Sequence, residues 1–368
     1  MMAGPSTSAN IRKAQVPISC NLCNENPITW KCEECDILMC DSCKNRIHER
    51  MKSTKDHEVI SVFNKEEDPS ASIEVSSEVI SYIFHSYTTD IPVGNLLCSD
   101  EDIVYIAGSK NFNKLIKVKM LKRSLRTLMS FEIPTFDIAA NEHGGVLFTH
   151  ISREPESPIS ILLSSGEIKT VLDPTPMRLL AIHLTKDNEL ICGLREQGDP
   201  FPLHDFSVRQ VVIFGIDYKK KMTFETDTKG RKFFAYPGRI RTDSKMDIYI
   251  VDWKDKDHNG KIVAIGGNGR LKFTYRGPNN FEIFKPMSIV VTPSDNIVLS
   301  EKHNHALLVL NSKGALISLQ CVRDINITYP IALCIDSEGF LLIGCFHEND
   351  TGKIHAVRIT EKFMWNFL

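Results

Sequence analysis

The sequence predicts a mainly β chain, a six-bladed β-propeller preceded by a small zinc finger. Two observations carry this reading. A phrase of short strands repeats six times from about residue 80 to the C-terminus, and six of the eleven cysteines crowd between residues 20 and 43. A third observation bounds it: of 368 residues, 42% are hydrophobic and 24% charged, a composition able to bury a core.

Residues 1–17 carry no continuous apolar run of the secretory kind and read as a disordered tail, which points to a cytoplasmic protein. No run of 18 apolar residues exists, so no transmembrane helix and no membrane partner is expected. Lys and Arg total 44 against 46 Asp and Glu, a net charge of −2 that gives no global pull towards nucleic acid or anionic lipid.

Residues 18–63 contain Cys20-x2-Cys23, Cys32-x2-Cys35, Cys40-x2-Cys43, His48 and His57. In a reducing compartment such a cluster holds metal rather than disulfides. The C-x2-C spacing matters because a tight turn sets two thiolates on one side of the chain, within reach of one zinc-sized ion. The apolar residues here (Leu22, Ile28, Trp30, Ile37, Leu38, Met39 and Ile47) make a core too small to fold alone, so metal supplies much of the folding free energy. Two terminal histidines and the lack of ferredoxin spacing argue against an iron–sulfur cluster. No βαβ pattern supports a thioredoxin-like role. Spacing yields the ligand set, with Asp36 a competitor for Cys35, and leaves the pairing open.

This pattern, C-x2-C-x8-C-x2-C-x4-C-x2-C-x4-H-x8-H, with WKCEECDILMCDSCKNRIHERM at its centre, resembles the B-box zinc finger of tripartite-motif proteins. The resemblance implies a cross-brace with two zinc ions. Cys20, Cys23, Cys40 and Cys43 would hold the first, and Cys32, Cys35, His48 and His57 the second. It also implies a short helix over Asp41–Arg50 capped by Asp41. The family's RING domain has no counterpart upstream of Cys20, and no heptad pattern follows the finger. The polar stretch 64–77, with Pro69, reads as a linker. A chain lacking RING and coiled coil is not expected to be an autonomous ubiquitin ligase, and is expected to be a monomer or weak homodimer.

Over 78–368 the recurring phrase is a proline, an alternating strand, a polar turn and a strongly apolar strand. The prolines are Pro92, Pro134, Pro176, Pro237, Pro286 and Pro330, at intervals of 42, 42, 61, 49 and 44. Third strands follow (KLIKVKM, ISILLSS, QVVIFGI, KIVAIGG, ALLVLNS, KIHAVRI), then fourth strands in five units. Four short strands per 40–50 residues is the signature of a propeller blade. The sixth unit lacks a fourth strand, and SEVISYIFHSYTTD before Pro92 is a strand without a unit. It is expected to complete the last blade and so remove an open edge; the alternative is that KFMWNFL at 362–368 does so. Residues 195–206 and 226–235 are expected to be loops. The region resembles the NHL-type propellers that follow B-box fingers, in the divergent form of invertebrates such as molluscs, through SEKHNHALLVLNSKGALISL with Asn304-His305 and through Asp252-Trp253. Cys98, Cys192, Cys321, Cys334 and Cys345 read as small buried hydrophobes.

The function this supports is a zinc-binding protein-interaction module. The finger associates with itself or a partner, the propeller recognises a protein, and a ubiquitin-ligase pathway containing RING-bearing relatives is the implied setting. The first alternative is a ubiquitin-ligase component of the tripartite-motif class. The second is an RNA-binding propeller, from Lys219–Lys221, Lys229, Arg231, Lys232, Arg239 and Arg241 interleaved with Phe233, Phe234 and Tyr236. The basic series Lys117, Lys119, Lys122, Arg123 and Arg126 reads instead as the solvent face of blade strands. Catalysis would need acids converging at the channel around a hard cation, with Asp137, Asp252 and Asp336 as contributors. Scattered acids at strand ends are ordinarily turn residues, and the weight of the sequence is against an enzyme.

Overall fold

The computed structural model describes residues 20–23, 29–32, 35, 37–46, 48, 57, 59–61, 75–99, 102–109, 113–141, 143–150, 157–346 and 351–364. The tail expected over 1–17 and residues 64–74 of the expected linker lie outside these. The chain divides into two compact units, Met1–Glu74 and Val75–Leu368. No helix among the described residues is long and apolar enough to cross a membrane.

The first unit is a three-stranded antiparallel sheet in which Trp30–Cys32 lies between Ile37–Met39 and Val59–Ser61, with a short helix Asp41–Arg46. Its apolar cluster consists mostly of cysteines. Cys20, Cys32, Cys40 and Cys43 are buried with Met39, and Leu22, Trp30 and Val59 pack beside them.

The second unit is a ring of six four-stranded antiparallel sheets. The first strands of the six blades are Val93–Cys98, Thr135–Ala140, Arg178–Leu184, Pro237–Thr242, Pro286–Val291 and Pro330–Ile335. The phased prolines explain themselves here. Pro237, Pro286 and Pro330 open their strands, and Pro92 and Pro134 stand directly before theirs, positions where the missing N–H costs no ladder bond. The polar centres are hairpin turns closed by side chains. Asn141 Oδ1 accepts from the amides of His143 and Gly145, Asn311 Oδ1 from Lys313 and Ala315, and Asp336 Oδ1 from Glu338 and Phe340. Second strands are almost wholly buried, as in Ile248–Trp253, and with buried third strands such as Ala306–Leu310 they form apolar seams between blades.

Every first strand carries a bulge near its start. Gly94, Met287 and Ile331 are each the extra residue between paired neighbours, Phe136 and Asp137 together face Thr149, Leu180 and Ala181 face Gly193, and Gly238 is the extra residue of blade 4. A bulge releases one residue from the ladder and increases local twist, so each blade offers one such residue at the same level of the ring.

Closure follows the first of the two expected routes. Ile80–Thr89 pairs antiparallel with Gly352–Ile359 as the fourth strand of blade 6, from Thr89 opposite Gly352 to Ile80 opposite Ile359, with register shifts at Ala356/Val357 and Arg358/Ile359. The incoming chain is also tied to blade 5. Ser76 bridges Ser318, and Gln320 Oε1 accepts the amides of Val79 and Ile80. Residues 75–77 of the expected linker therefore run along the ring. The alternative strand is replaced by a short helix, Glu361–Met364, whose Phe363 and Met364 enter the blade 5–6 core; residues 365–368 lie outside the described set.

The cysteine expectation needs correcting. Cys192 and Cys345 are buried thiols as expected, but Cys321 is exposed, and Cys98 and Cys334 form a disulfide with Cα atoms 6.3 Å apart. They sit at the ends of the first strands of blades 1 and 6, which closure makes neighbours despite a separation of 236 residues.

Ring closure also introduces a buried base. His355 is 4% exposed, its Nδ1 lies 2.8 Å from Ser86 Oγ across the closing strand pair, and its Nε2 finds no hydrogen-bond partner among the described residues. Burial, helped by the charge of Lys353, lowers its pKa from 6.5 to about 4. The unfolded chain therefore takes up the proton first, and stability present above pH 6.5 is lost as pH falls towards 4, by at most about 3 kcal/mol. Thermal unfolding from pH 7.5 to 4.5 is expected to show this as a fall in Tm that His355→Leu partly removes; an identical pH profile in the variant would refute it.

Candidate metal centre and the propeller channel

The finger gathers its eight candidate residues into two groups. Cys20, Cys23, Cys40 and Cys43 place their sulfurs within 4.8 Å of one another, and so do the ligand atoms of Cys32, Cys35, His48 and His57. A tetrahedral zinc with Zn–S near 2.3 Å and Zn–N near 2.0–2.1 Å has S···S edges of about 3.8 Å and S···N edges of about 3.6 Å. Cys23 Sγ lies 3.9 Å from Cys40 Sγ, Cys32 Sγ lies 3.6 Å from His57 Nδ1, and Cys35 Sγ lies 3.7 Å from His48 Nε2. Cys35 Sγ to His57 Nδ1 is shorter, at 3.1 Å. The two clusters fit two zinc ions.

Local backbone prepares the sulfurs for this charge. Cys20 Sγ accepts the amides of Leu22 at 3.4 Å and Cys40 at 3.3 Å, and Cys32 Sγ accepts that of Cys35 at 3.4 Å. Burial opposes ionisation of Cys20, but the amides of Leu22, Cys40 and Cys23 outweigh it and hold its pKa below the ordinary thiol value. Cys43 shows the opposite need. Burial first, then the neighbouring thiols, push it up to about 12, so four thiols this close cannot all ionise without a cation between them.

Asp41 departs from its expected role. It stands in the first turn of a helix that ends at Arg46, and its carboxylate accepts from Trp30 Nε1 at 2.6 Å and Thr29 Oγ1 at 3.4 Å. Lys44 covers the Trp30 ring at 3.8 Å. These contacts clamp the helix to the central strand. Residues 47, 49 and 50 of the expected helix lie outside the described set.

The propeller acids do not converge. Asp137 is wholly buried and ties three blades, accepting from Asn95 Nδ2 and from the amide of Ile182 at 2.9 Å. Asp252, also wholly buried, accepts the amides of Ala235 and Tyr236 at 2.8 and 2.7 Å, with Lys261 Nζ at 3.5 Å. Burial raises its pKa to about 6 against the pull of Lys261 and those amides. Asp336 is the hairpin residue already described. All three hold backbone in place. Asn304-His305 does the same: Asn304 Nδ2 donates to Ile283 O, and His305 Nδ1 accepts the Tyr329 amide in blade 6.

The basic stretch separates just as widely. Lys219 pairs with Asp217, Lys221 with Glu189 and Arg231 with Asp227, while Lys232 Nζ caps the Ser207 carbonyl. Phe233 and Phe234 are core residues, at 7% and 4% exposure, and cannot stack on bases. Arg239 and Arg241 line two different cavities. The single basic, aromatic face read from the sequence is not formed. Lys117 and Lys119 do lie on a blade strand, with Lys117 over the Tyr105 ring.

The ANCHR-like B-box zinc-binding domain family matches residues 20–59, which places a B-box zinc-binding domain at the N-terminus. No curated protein matches the chain in sequence. Among solved structures, the fold is similar to a gluconolactonase from Xanthomonas campestris, at 11% identity and TM-score 0.55 over 73% of this chain and 87% of that one. It is also similar to virginiamycin B lyase from Staphylococcus aureus, at 13% identity and TM-score 0.51 over 74% and 98%. A PQQ-bound aldose sugar dehydrogenase from Streptomyces coelicolor matches at 12% identity and TM-score 0.52 over 76% and 97%. At these identities the likeness is one of fold, a β-propeller.

A structural zinc contributes about 10–16 kcal/mol to folding at neutral pH, several times the contribution of one buried Met or Leu, about 1.5–3 kcal/mol. Chelation of the intact protein is therefore expected to abolish the near-UV circular dichroism of Trp30 and the protease resistance of residues 20–61 while leaving the propeller's unfolding transition in place. A finger that stays folded without metal would contradict the fit.

Proposed function

We propose that this chain is a zinc-dependent protein-interaction protein, whose finger spans 18–63 and mediates association, and whose propeller, 78–368, recognises a protein partner. The observation that carries this is the pairing, on one chain, of a finger whose donor atoms fit two zinc ions with a closed propeller whose buried acids are consumed in joining blades. Cys20, Cys23, Cys40 and Cys43 serve one ion and Cys32, Cys35, His48 and His57 the other. Zinc bound there supplies charge neutralisation and a rigid cross-link. The protein residues then do the binding, through a surface held in shape by the Asp41–Trp30 clamp.

B-box fingers and propellers are both general interaction modules, which supports recognition over catalysis. A cytoplasmic setting and a place beside RING-bearing tripartite-motif relatives in a ubiquitin-ligase pathway complete the reading; their support is the B-box match and the sequence resemblance.

Sedimentation velocity of the zinc-loaded chain over a range of concentrations, with Cys40→Ser alongside, tests the association. The expected result is a weak, concentration-dependent dimer that the variant loses while its propeller melts normally. A strictly monomeric wild type, combined with an affinity capture in which no binder depends on the finger or the propeller, would overturn the proposal.

A further inference from the structure

A cavity of about 170 Å³ opens at one mouth of the channel, where first strands begin and second strands end. The released bulge residues of four blades (Gly94, Phe136, Met287 and Ile331) line it, together with Arg239, Trp253, His258 and Lys302. Blade 4 sets its chemistry. A Cβ on Gly238 would come within 2.3 Å of Trp253 Cζ3, so the glycine lets the indole lie flat over the bulge, and Trp253 Nε1 fixes the ring by donating to Pro286 O at 2.7 Å. Phe136 meets Trp253 edge-on, with ring centroids 6.3 Å apart, and His258 does so at 4.8 Å.

Arg239 lies against this aromatic wall, its guanidinium 5.0 Å from the Phe136 centroid and 5.8 Å from that of Trp253. It is 6% exposed, and it donates through Nη1 to Gly238 O at 2.9 Å. Among the described residues no carboxylate lines the cavity or forms an ion pair with Arg239. The buried acids of the neighbouring second strands are already taken. Asp252 is held by the Ala235 and Tyr236 amides and Lys261, and Glu301 by the amides of Lys285, His303 and Asn304. Burial, then the charges of Lys302, Arg239 and Lys285, depress the pKa of His258 against the opposing pull of Asp255. A buried cation without a counter-charge is costly, and such groups mark places where an anion arrives from outside.

We propose that this cavity binds a carboxylate carried on a short apolar stem, with Arg239 and Lys302 as the charged contacts and Phe136, Met287 and Ile331 around the stem. Aromatic faces beside the guanidinium leave its edge to donate, which suits a planar two-oxygen acceptor. The volume lies below the roughly 300–1,000 Å³ of drug-sized ligand sites and suits one side chain. The acidic residue of a partner peptide is thus the favoured source, which deepens the partner-recognition reading and rests on it; a free small dicarboxylate offers the same chemistry.

Isothermal titration of the full zinc-loaded chain with Ac-Gly-Glu-Gly-NH2, its Gln counterpart, glutarate and inorganic phosphate tests this. The Glu peptide or glutarate is expected to bind, the Gln peptide not, and Arg239→Met to weaken binding by at least about tenfold, the effect of losing one charge-assisted contact. A tighter Glu peptide identifies the peptide source, and equal affinities the free acid. Lys302→Met, on a less buried residue, carries the comparison if Arg239→Met fails to fold. Absence of binding up to about 10 mM, preference for phosphate, or affinities unchanged in both variants would overturn the site. Partner capture that survives Arg239→Met would overturn the site alone, and peptide binding without any protein partner would overturn the broader reading alone.

Discussion

A propeller keeps only short, protected edges while every blade is complete, and here completion of the last blade depends on one strand pair. Ile80–Thr89 supplies the hydrogen bonds that Gly352–Ile359 would otherwise leave open, and Tyr87 and Ile80 carry the apolar seams on either side of it. Edge-to-edge pairing with another chain is the ordinary fate of a strand left bare in this way. The tie from Ser76 to Ser318 and the two amides on Gln320 hold the strand from its N-terminal side, so blades 5 and 6 are fastened together by the same segment. The Cys98–Cys334 disulfide joins blade 6 to blade 1 within the same junction.

Once the ring is closed, the first strands converge, and their residues divide the work by depth. At mid-channel the polar side chains serve neighbouring blades. Asp137 reaches Asn95 and Ile182, and Ser288 Oγ accepts the Leu333 amide. At the mouth the bulges release one residue per blade from the ladder, and Gly94, Phe136, Met287 and Ile331 line the cavity there. Chemistry is therefore concentrated where the ladder is interrupted. The acids that a reader of the sequence would place in a catalytic channel are occupied elsewhere: Asp137 and Asp252 are filled by protein donors, and Asp336 closes a hairpin turn.

How much of this could be read from residue order depends on the range of the interaction. The blades were legible because each is built from local hairpins whose turn residues and apolar strands recur in phase. The closing strand was legible because a four-strand period left one unit short and one strand over. The metal-binding set was legible from C-x2-C spacing, since a knuckle is a local turn, whereas its division into two groups came from resemblance alone. What sequence order hid is whatever the ring brings together late. Cys98 and Cys334 meet only through closure. Arg239 and Arg241, two residues apart on one strand, line different cavities. Phe233 and Phe234 read as exposed loop aromatics, but the carbonyl of Phe233 is held by Lys261 and the chain beyond it by Asp252, so both rings turn into the core. The pocket around Arg239 was signalled only by Gly238 preceding it, a small residue at a strand start where an indole needed room.

The finger rests on a different economy, because its interior is made mainly of ligands. With Met39 the sole buried apolar residue besides cysteines among those described there, shape must come from the ions. The most direct measurement is native mass spectrometry with elemental analysis of protein purified without chelator. Two zinc ions per chain, falling to one when Cys23 or His57 alone is replaced, is the result this account predicts. One ion or none in the wild type would contradict it, and the finger could not then be the zinc-dependent association element described above.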